Sequence, residues 1–187
     1  MGIRAAILNR IVAALVPLLL SCAMVQAEDA AKLDNLFDRL KTAPADEASR
    51  IEREIQLEWA KSGSPALDLL LQRGEDAIGM GDYKAAIEHF SALIDHDPTF
   101  AEAWNGRATA YYLAGQFGPS VADIAQVLTL NPRHFGALSG LAMILEETGK
   151  PEKALAAYRA ALAIHPHLQG AIEAVERLEK AAEGREL

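Results

Sequence analysis

The 187-residue chain contains one cysteine, Cys22, which excludes a disulfide framework, a zinc knuckle or an iron–sulfur site. Aromatic residues make up only 6% of it, a scarcity that fits a helical scaffold better than a sheet-rich fold. Basic residues are in the minority, with 18 Lys and Arg against 26 Asp and Glu and a net charge of −8. That balance argues against nucleic acid or an anionic membrane surface as the main partner. The sequence also lacks a Gly-rich phosphate loop, a Gly-x-Ser-x-Gly elbow and a His-Glu-x-x-His pair. What is present is a 51% hydrophobic chain, long enough for one domain whose core needs no disulfide or metal.

The longest apolar run stands near the start. Arg4 and Arg10 precede the uncharged residues 11–25, broken only by Pro17, Ser21 and Cys22, and Val25-Gln26-Ala27 leads into the acidic pair Glu28-Asp29. This is the layout of a secretory signal cleaved after Ala27. Removing residues 1–27 takes Arg4 and Arg10 with it, leaving 16 basic and 26 acidic residues, a net charge of −10 and no cysteine. A chain held by packing alone suits a bacterial periplasm. Two alternatives stay open: an uncleaved anchor, for which the run falls short of the ~20 residues that span a bilayer, and lipidation of Cys22, since Leu19-Leu20-Ser21-Cys22 resembles a bacterial lipoprotein box. A membrane partner is expected only if Cys22 carries lipid.

The rest of the chain is organised by a period of 34 residues, the spacing of Pro98, Pro132 and Pro166 and equally of Gly81, Gly115 and Gly149. Between these breakers lie paired helix-period segments at 66–79 with 84–95, 101–113 with 119–130, and 136–147 with 152–164. Each glycine supplies the turn inside a pair, and each proline ends one pair and starts the next. Residues 169–182 form a last amphipathic segment, with Ile172, Val175 and Leu178 on one face, suited to closing the open end of a stack. Thr99 followed by Glu102 reads as a capping box at the start of the second unit.

The pattern resembles the tetratricopeptide repeat family. In the first helices the small residue is Gly74, Ala108 and Ala142, the large residue before it Leu70, Trp104 and Leu138, and the one after it Ala77, Tyr111 and Leu145. In the second helices the small residue is Ala86, Ser120 and Ala154, followed by Phe90, Ile124 and Tyr158. Ala77, Ser120, Leu93 and Val127 are mild departures. The resemblance covers about residues 65–182 and implies an all-α solenoid of antiparallel helix pairs stacked in a right-handed superhelix. The expected units are 65–98, 99–132 and 133–166, with a capping helix and tail at 167–187.

Residues 28–64 are expected to form an N-terminal cap or degenerate repeat. Leu33, Leu36, Phe37 and Leu40 make one apolar stripe and Ile51, Ile55 and Trp59 another, but the turn glycine and the small residues are missing. Ser64 is placed to cap the next helix, with Pro65 in its first turn.

Of the five histidines, His96, His134, His165 and His167 fall at turns after second helices and should line one edge of the stack. Successive turns lie about 10 Å apart, too far for a shared metal centre, and His89 reads as a surface residue. Glu146 and Glu147 are adjacent on a helix and point about 100° apart, so they make a solvated face and not an acid–base pair. No cofactor, no small-molecule substrate and no enzymatic activity is expected.

In the family the first helices line a concave groove. Projecting the helix period places Leu71, Glu75, Glu102, Asn105, Thr109, Tyr112, Ser139, Met143 and Glu146 on or near that face as partner-binding residues. Asp68, Gln72, Gly136 and Glu173 lie close by. Mid-helix Gly106 and Gly140 occupy equivalent positions although each costs about 1 kcal/mol relative to alanine. Either close helix packing or a deep groove accounts for them. Family members that clamp a C-terminal carboxylate do so with lysines, an arginine and an asparagine. Here Leu71, Glu75, Gly136 and Gly140 stand in the corresponding places and only Asn105 remains, so such a clamp is not expected. The acidic residues instead favour a partner segment carrying Lys or Arg. The leading expectation is a protein-interaction adaptor of the cell envelope. The alternative is a structural subunit of an envelope assembly, acting through the convex face or the ends.

Overall fold

A computed structural model describes residues 30–184 of the chain. The expected leader at 1–27, its cleavage site and Cys22 lie outside the described residues. Nine helices occur among those described: α1 (residues 30–42), α2 (Ala45–Trp59), α3 (Pro65–Gly79), α4 (Tyr83–His96), α5 (Ala101–Leu113), α6 (Phe117–Leu130), α7 (Phe135–Glu147), α8 (Pro151–Ile164) and α9 (Gln169–Glu183). The pairs α3–α4, α5–α6 and α7–α8 stack in order, and α9 packs on α8.

The two sets of chain breakers each make a recurrent turn. Gly81, Gly115 and Gly149 take φ of +74°, +72° and +71°, the left-handed region that a side chain disfavours. At Gly81 the amide of Asp82 donates to Ala77 O and that of Gly81 to Ile78 O, the paired bonds of a Schellman ending. The same pair recurs at Gly115 and Gly149. At the prolines, the residue before each one accepts from the amide two residues on: Asp97 Oδ1 from Thr99 N at 2.9 Å, Asn131 Oδ1 from Arg133 N at 3.2 Å, His165 Nδ1 from His167 N at 3.3 Å. A side chain thus satisfies the amide that follows each proline, closing a turn where the helix stops.

Two local expectations are corrected here. The Thr99–Glu102 capping box does not form, because Asp97 Oδ1 takes both the amide and the hydroxyl of Thr99, and the helix starts one residue later with Phe100 at its N-cap. Ser64 is the N-cap of α3 and Pro65 its first residue, but the Ser64 side chain makes no cap bond.

Packing follows the alternation of small and large residues. Ala86, Ala108, Ala142 and Ala154 are buried. The Phe90 ring, wholly buried, fills the space beside Gly74 and Gly106, whose added Cβ atoms would each lie 2.5 Å from its Cζ. Leu70, Trp104, Tyr111 and Leu138 are half-buried, and Tyr158 is buried against α9 residues Ala171, Ala174 and Leu178. Trp104 Nε1 donates to Pro98 O at 2.9 Å, which ties the large residue of α5 to its preceding turn. A partly buried ion pair locks α5 to its neighbours: Arg107 Nε and Nη2 donate to Asp123 of α6 at 2.7 and 2.9 Å, and Nη1 donates to Ser91 of α4 at 3.1 Å.

The α1–α2 pair buries its stripes on the side of the third unit, not on α3. Leu36, Phe37, Leu40, Ile51 and Ile55 form one cluster with Phe135 at the start of α7 and Ala161 of α8. The Trp59 ring stacks on His134 at 4.5 Å, and the Arg133 guanidinium lies 4.3 Å above Phe37 while pairing with Asp34 at 2.8 Å. His167 Nε2 donates to Ala43 O at 2.9 Å.

Two of the histidines expected on an open edge are therefore buried, His134 at 3% and His165 at 1% exposure. His134 caps α7, its Nδ1 accepting from Ala137 N at 3.0 Å, which leaves the ring proton on Nε2 to be donated to Glu102 Oε1 at 2.9 Å. His165 Nε2 donates to Glu52 Oε2 at 3.3 Å. His96 is exposed and His89 half-buried, where a surface position was expected for the latter.

Candidate binding groove

Side chains of α5, α7 and α9 that face away from the second helices leave three adjoining hollows. The first, about 290 Å³, lies between α5 and α7, with Asn105, Thr109, Tyr112, Ser139 and Met143 in its walls and Ile124 and Gly140 below. The second, about 440 Å³, lies between α7 and α9, bounded by Gly136, Ser139, Met143, Glu173 and Arg177 and, from the N-terminal pair, by Glu52 and Gln56. The third, also about 440 Å³, is formed by Tyr112, Met143, Glu146, Glu147, Tyr158 and Arg177. Met143 borders all three and is 42% exposed, a large apolar side chain with no core to serve.

Of the sequence-selected residues, Asn105, Thr109, Tyr112, Ser139, Met143 and Glu146 come together here. Leu71 does not, and its assignment to the groove is corrected. It is 6% exposed and belongs to the core cluster of Phe90, Phe100 and Ala103, because an aliphatic side chain at this register closes onto α5. Its equivalents one and two repeats on, Asn105 and Ser139, are polar and border the first hollow. Glu75 is exposed on α3 and Glu102 half-buried on α5, and neither borders these hollows. Glu102 is engaged by His134 and by Asn105 Nδ2 at 3.4 Å.

The glycine question resolves in two ways. Gly106 is required by packing, since a Cβ there would run into Phe90. At Gly140 the nearest atom to an added Cβ is Ile124 Cδ1 at 3.8 Å, an ordinary contact, so nothing in the helix packing demands glycine. It borders the first hollow and keeps it open.

Charge in the groove is arranged in pairs. Arg177 Nη2 donates to Glu146 Oε2 at 3.0 Å, and this bond holds the Glu146 carboxyl below the usual carboxylate range. The Tyr112 hydroxyl donates to Glu147, which together with burial pushes its pKa up to about 12, so the ring carries a fixed donor at neutral pH. Burial and the nearby Glu146 raise the Tyr158 phenol as well. On the flank, desolvation followed by repulsion from Glu102 and Asp76 raises the Glu75 carboxyl. Arg177, Glu147, Tyr158, Glu52 and Gln56 were not foreseen in the groove. Arg177 was within reach, for it follows Glu173 by one helical turn. Glu52 and Gln56 had no signal, because their place depends on where the α1–α2 pair docks.

The repeat architecture on which this groove rests is matched independently. Residues 71–118 and 114–168 match the profile of the tetratricopeptide repeat, and a TPR repeat-containing protein of Rhizobium etli is 42% identical over 156 residues, 82% of this chain and 76% of that one. The chain belongs to the tetratricopeptide repeat family. It is a non-enzymatic, protein-interaction scaffold. Among solved structures the TPR fold is similar to the first TPR of Spaghetti (RPAP3), bound to an HSP90 peptide, with TM-score 0.60 and 23% identity over 63% of this chain and 93% of that one. It is also similar to the Yersinia enterocolitica type III secretion chaperone SycD in complex with a peptide of the translocator YopD, with TM-score 0.59 and 15% identity over 64% and 96% of the two chains. At such identities the likeness is one of fold.

Proposed function

We propose that this TPR protein is an adaptor that holds a segment of another protein in the groove of α5, α7 and α9. The observation that carries the reading is the set of three adjoining hollows around the exposed Met143. An apolar hollow kept open by Gly140 can take an anchor side chain. Tyr112, Asn105 and Thr109 lie at its walls to orient it, and the carboxylates of Glu147 and Glu173, which have no Lys or Arg partner among the described residues, favour a segment carrying Lys or Arg. Domains of the same fold that hold peptides of other proteins support the reading. The signal-like layout of residues 1–27 supports a periplasmic site of action, with lipid attachment at Cys22 as the variant form.

A photo-crosslinking residue placed at Met143 should trap a partner in cells, whereas the same residue at exposed Glu88 of α4 should not. Adding Gly140→Leu should abolish the Met143 crosslink without lowering Tm. Equal crosslinking from both sites would refute the groove. Intact mass of the protein recovered from the envelope fraction tests the location: a chain starting at residue 28 is expected, and one starting at Cys22 with added acyl mass would replace the soluble form.

A further inference from the structure

We propose that the N-terminal pair is part of the partner site: α2 walls the hollow against α7 and α9, and that hollow takes a partner segment in which a Lys or Arg stands beside an aliphatic side chain. The inference rests on the groove reading above and extends it beyond the repeats themselves.

The wall is firmly set. Leu40, Ile51 and Ile55 are fully buried against the third unit, and Trp59 is stacked on His134. Anchoring these residues turns the opposite edge of α2, bearing Glu52 and Gln56, toward Gly136, Ser139 and Met143 of α7 and Glu173 of α9. The floor between them is apolar, made by Phe135, Leu168, Ala171 and Ala174.

The charge at the two lips identifies the occupant. Glu52 accepts from Gln56 Nε2 at 3.1 Å and from His165, and Glu173 accepts from Gln169 Nε2 at 3.0 Å. Neither has a Lys or Arg partner among the described residues, and Arg177 is committed to Glu146. A long basic side chain would lay its methylenes on the apolar floor and bring its charge between the carboxylates. An acidic segment would meet both carboxylates, and a purely aliphatic one would desolvate them without a partner. Next to this place, Ser139 borders both the first and the second hollow, and its Oγ is buried with no hydrogen-bond partner among the described residues. A turn about its χ1 would bring this hydroxyl to a carbonyl of the bound segment where that segment passes from one hollow to the other.

The test selects random 12-residue peptides displayed on phage against the full chain, then measures the winners on variants. Peptides pairing Lys or Arg with Leu, Ile, Val or Met should be enriched. Their affinity should fall about tenfold or more in Gln56→Arg and in Glu52→Gln, the scale of one partly desolvated charge contact. Gln56 is exposed, and Glu52→Gln keeps an acceptor for His165, so the Tm of both should match the parent. Winners that lack a basic residue, or that ignore both α2 substitutions while losing binding in Met143→Arg, would overturn the wall and leave the groove standing. Winners indifferent to Met143→Arg, or no enrichment at all, would overturn both.

Discussion

Gly106 of α5 and Gly140 of α7 share one register in the first helices of successive repeats, yet replacing each by alanine should move stability in opposite directions. Alanine in place of a helix-interior glycine gains about 1 kcal/mol when nothing opposes it. At Gly140 nothing does, with Ile124 Cδ1 at 3.8 Å from the added Cβ, so Gly140→Ala should raise Tm by roughly 2–4 °C. At Gly106 the added Cβ lies 2.5 Å from Phe90 Cζ, and the ring, wholly buried and packed beside Gly74 as well, has little room to retreat. Overpacking a filled core costs about 1–3 kcal/mol, and displacing a wholly buried aromatic ring belongs at the upper end. The net is a loss of about 2 kcal/mol, seen as a Tm lower by roughly 4–8 °C. Urea denaturation and thermal melts of the two variants beside the parent measure the difference. Phe90→Leu combined with Gly106→Ala should cost less than the sum of the two, since the smaller side chain vacates the ring's edge. A Gly106→Ala variant as stable as Gly140→Ala would refute the packing account of the glycine and return it to the groove.

The Arg107–Asp123 ion pair yields a second expectation: Asp123→Ala leaves the partly buried Arg107 without its carboxylate and should destabilise by about 2–3 kcal/mol in urea melts, less than a fully buried pair would, while Arg107→Met with Asp123→Leu should recover much of that. His134→Ala removes the α7 cap bond to Ala137 and the support under Trp59, and should cost about 1–2 kcal/mol, with a change in tryptophan fluorescence reporting the loosened α2. The Glu58 carboxyl accepts from Lys32 and Lys61 at 2.6 and 2.7 Å and is thereby held below its ordinary value of 4.5. A lowered carboxyl stabilises above the unfolded-state pKa and loses that contribution as pH falls through the folded value. The Tm gap between parent and Glu58→Gln should therefore be widest near neutral pH and close in acid, and a gap constant with pH would refute the assignment.

The repeat was legible because its punctuation is dictated by backbone chemistry. A glycine at φ near +72° and a proline with a side-chain acceptor before it recur wherever the same turn is made, whatever the surface does. Burial of Ala108, Ala142 and Phe90 followed from the same spacing. Errors arose where one side chain had two possible partners. Thr99 could serve α5 or Asp97, and a short carboxylate two residues away wins over a cap that needs the helix to start earlier. Leu71 could face the groove or α5, and its apolar surface decides for the core. Arg177 stands among the charged residues of α9, and its long side chain reaches the groove and Glu146 one repeat earlier.

The α1–α2 pair lies beyond such local reasoning because its docking is fixed by contacts with residues about a hundred positions away. A repeat nests on its neighbour where small residues such as Gly74 and Ala142 let helices cross closely, whereas the small residue of α2, Ala48, is buried in the cluster that faces the third unit. The bulk of the pair is concentrated in Phe37 and Trp59, which need a flat apolar seat, and the third unit offers one where His134 and Phe135 replace the usual exposed turn. Burying that turn would orphan its polar groups, and the imidazoles prevent this by serving two partners each, Ala137 N and Glu102 at His134, His167 N and Glu52 at His165. The histidines are thus the condition for docking the pair on the third unit. Because the docked helix brings Glu52 and Gln56 to the hollow of α7 and α9, the same imidazoles that satisfy the fold also set one wall of the groove.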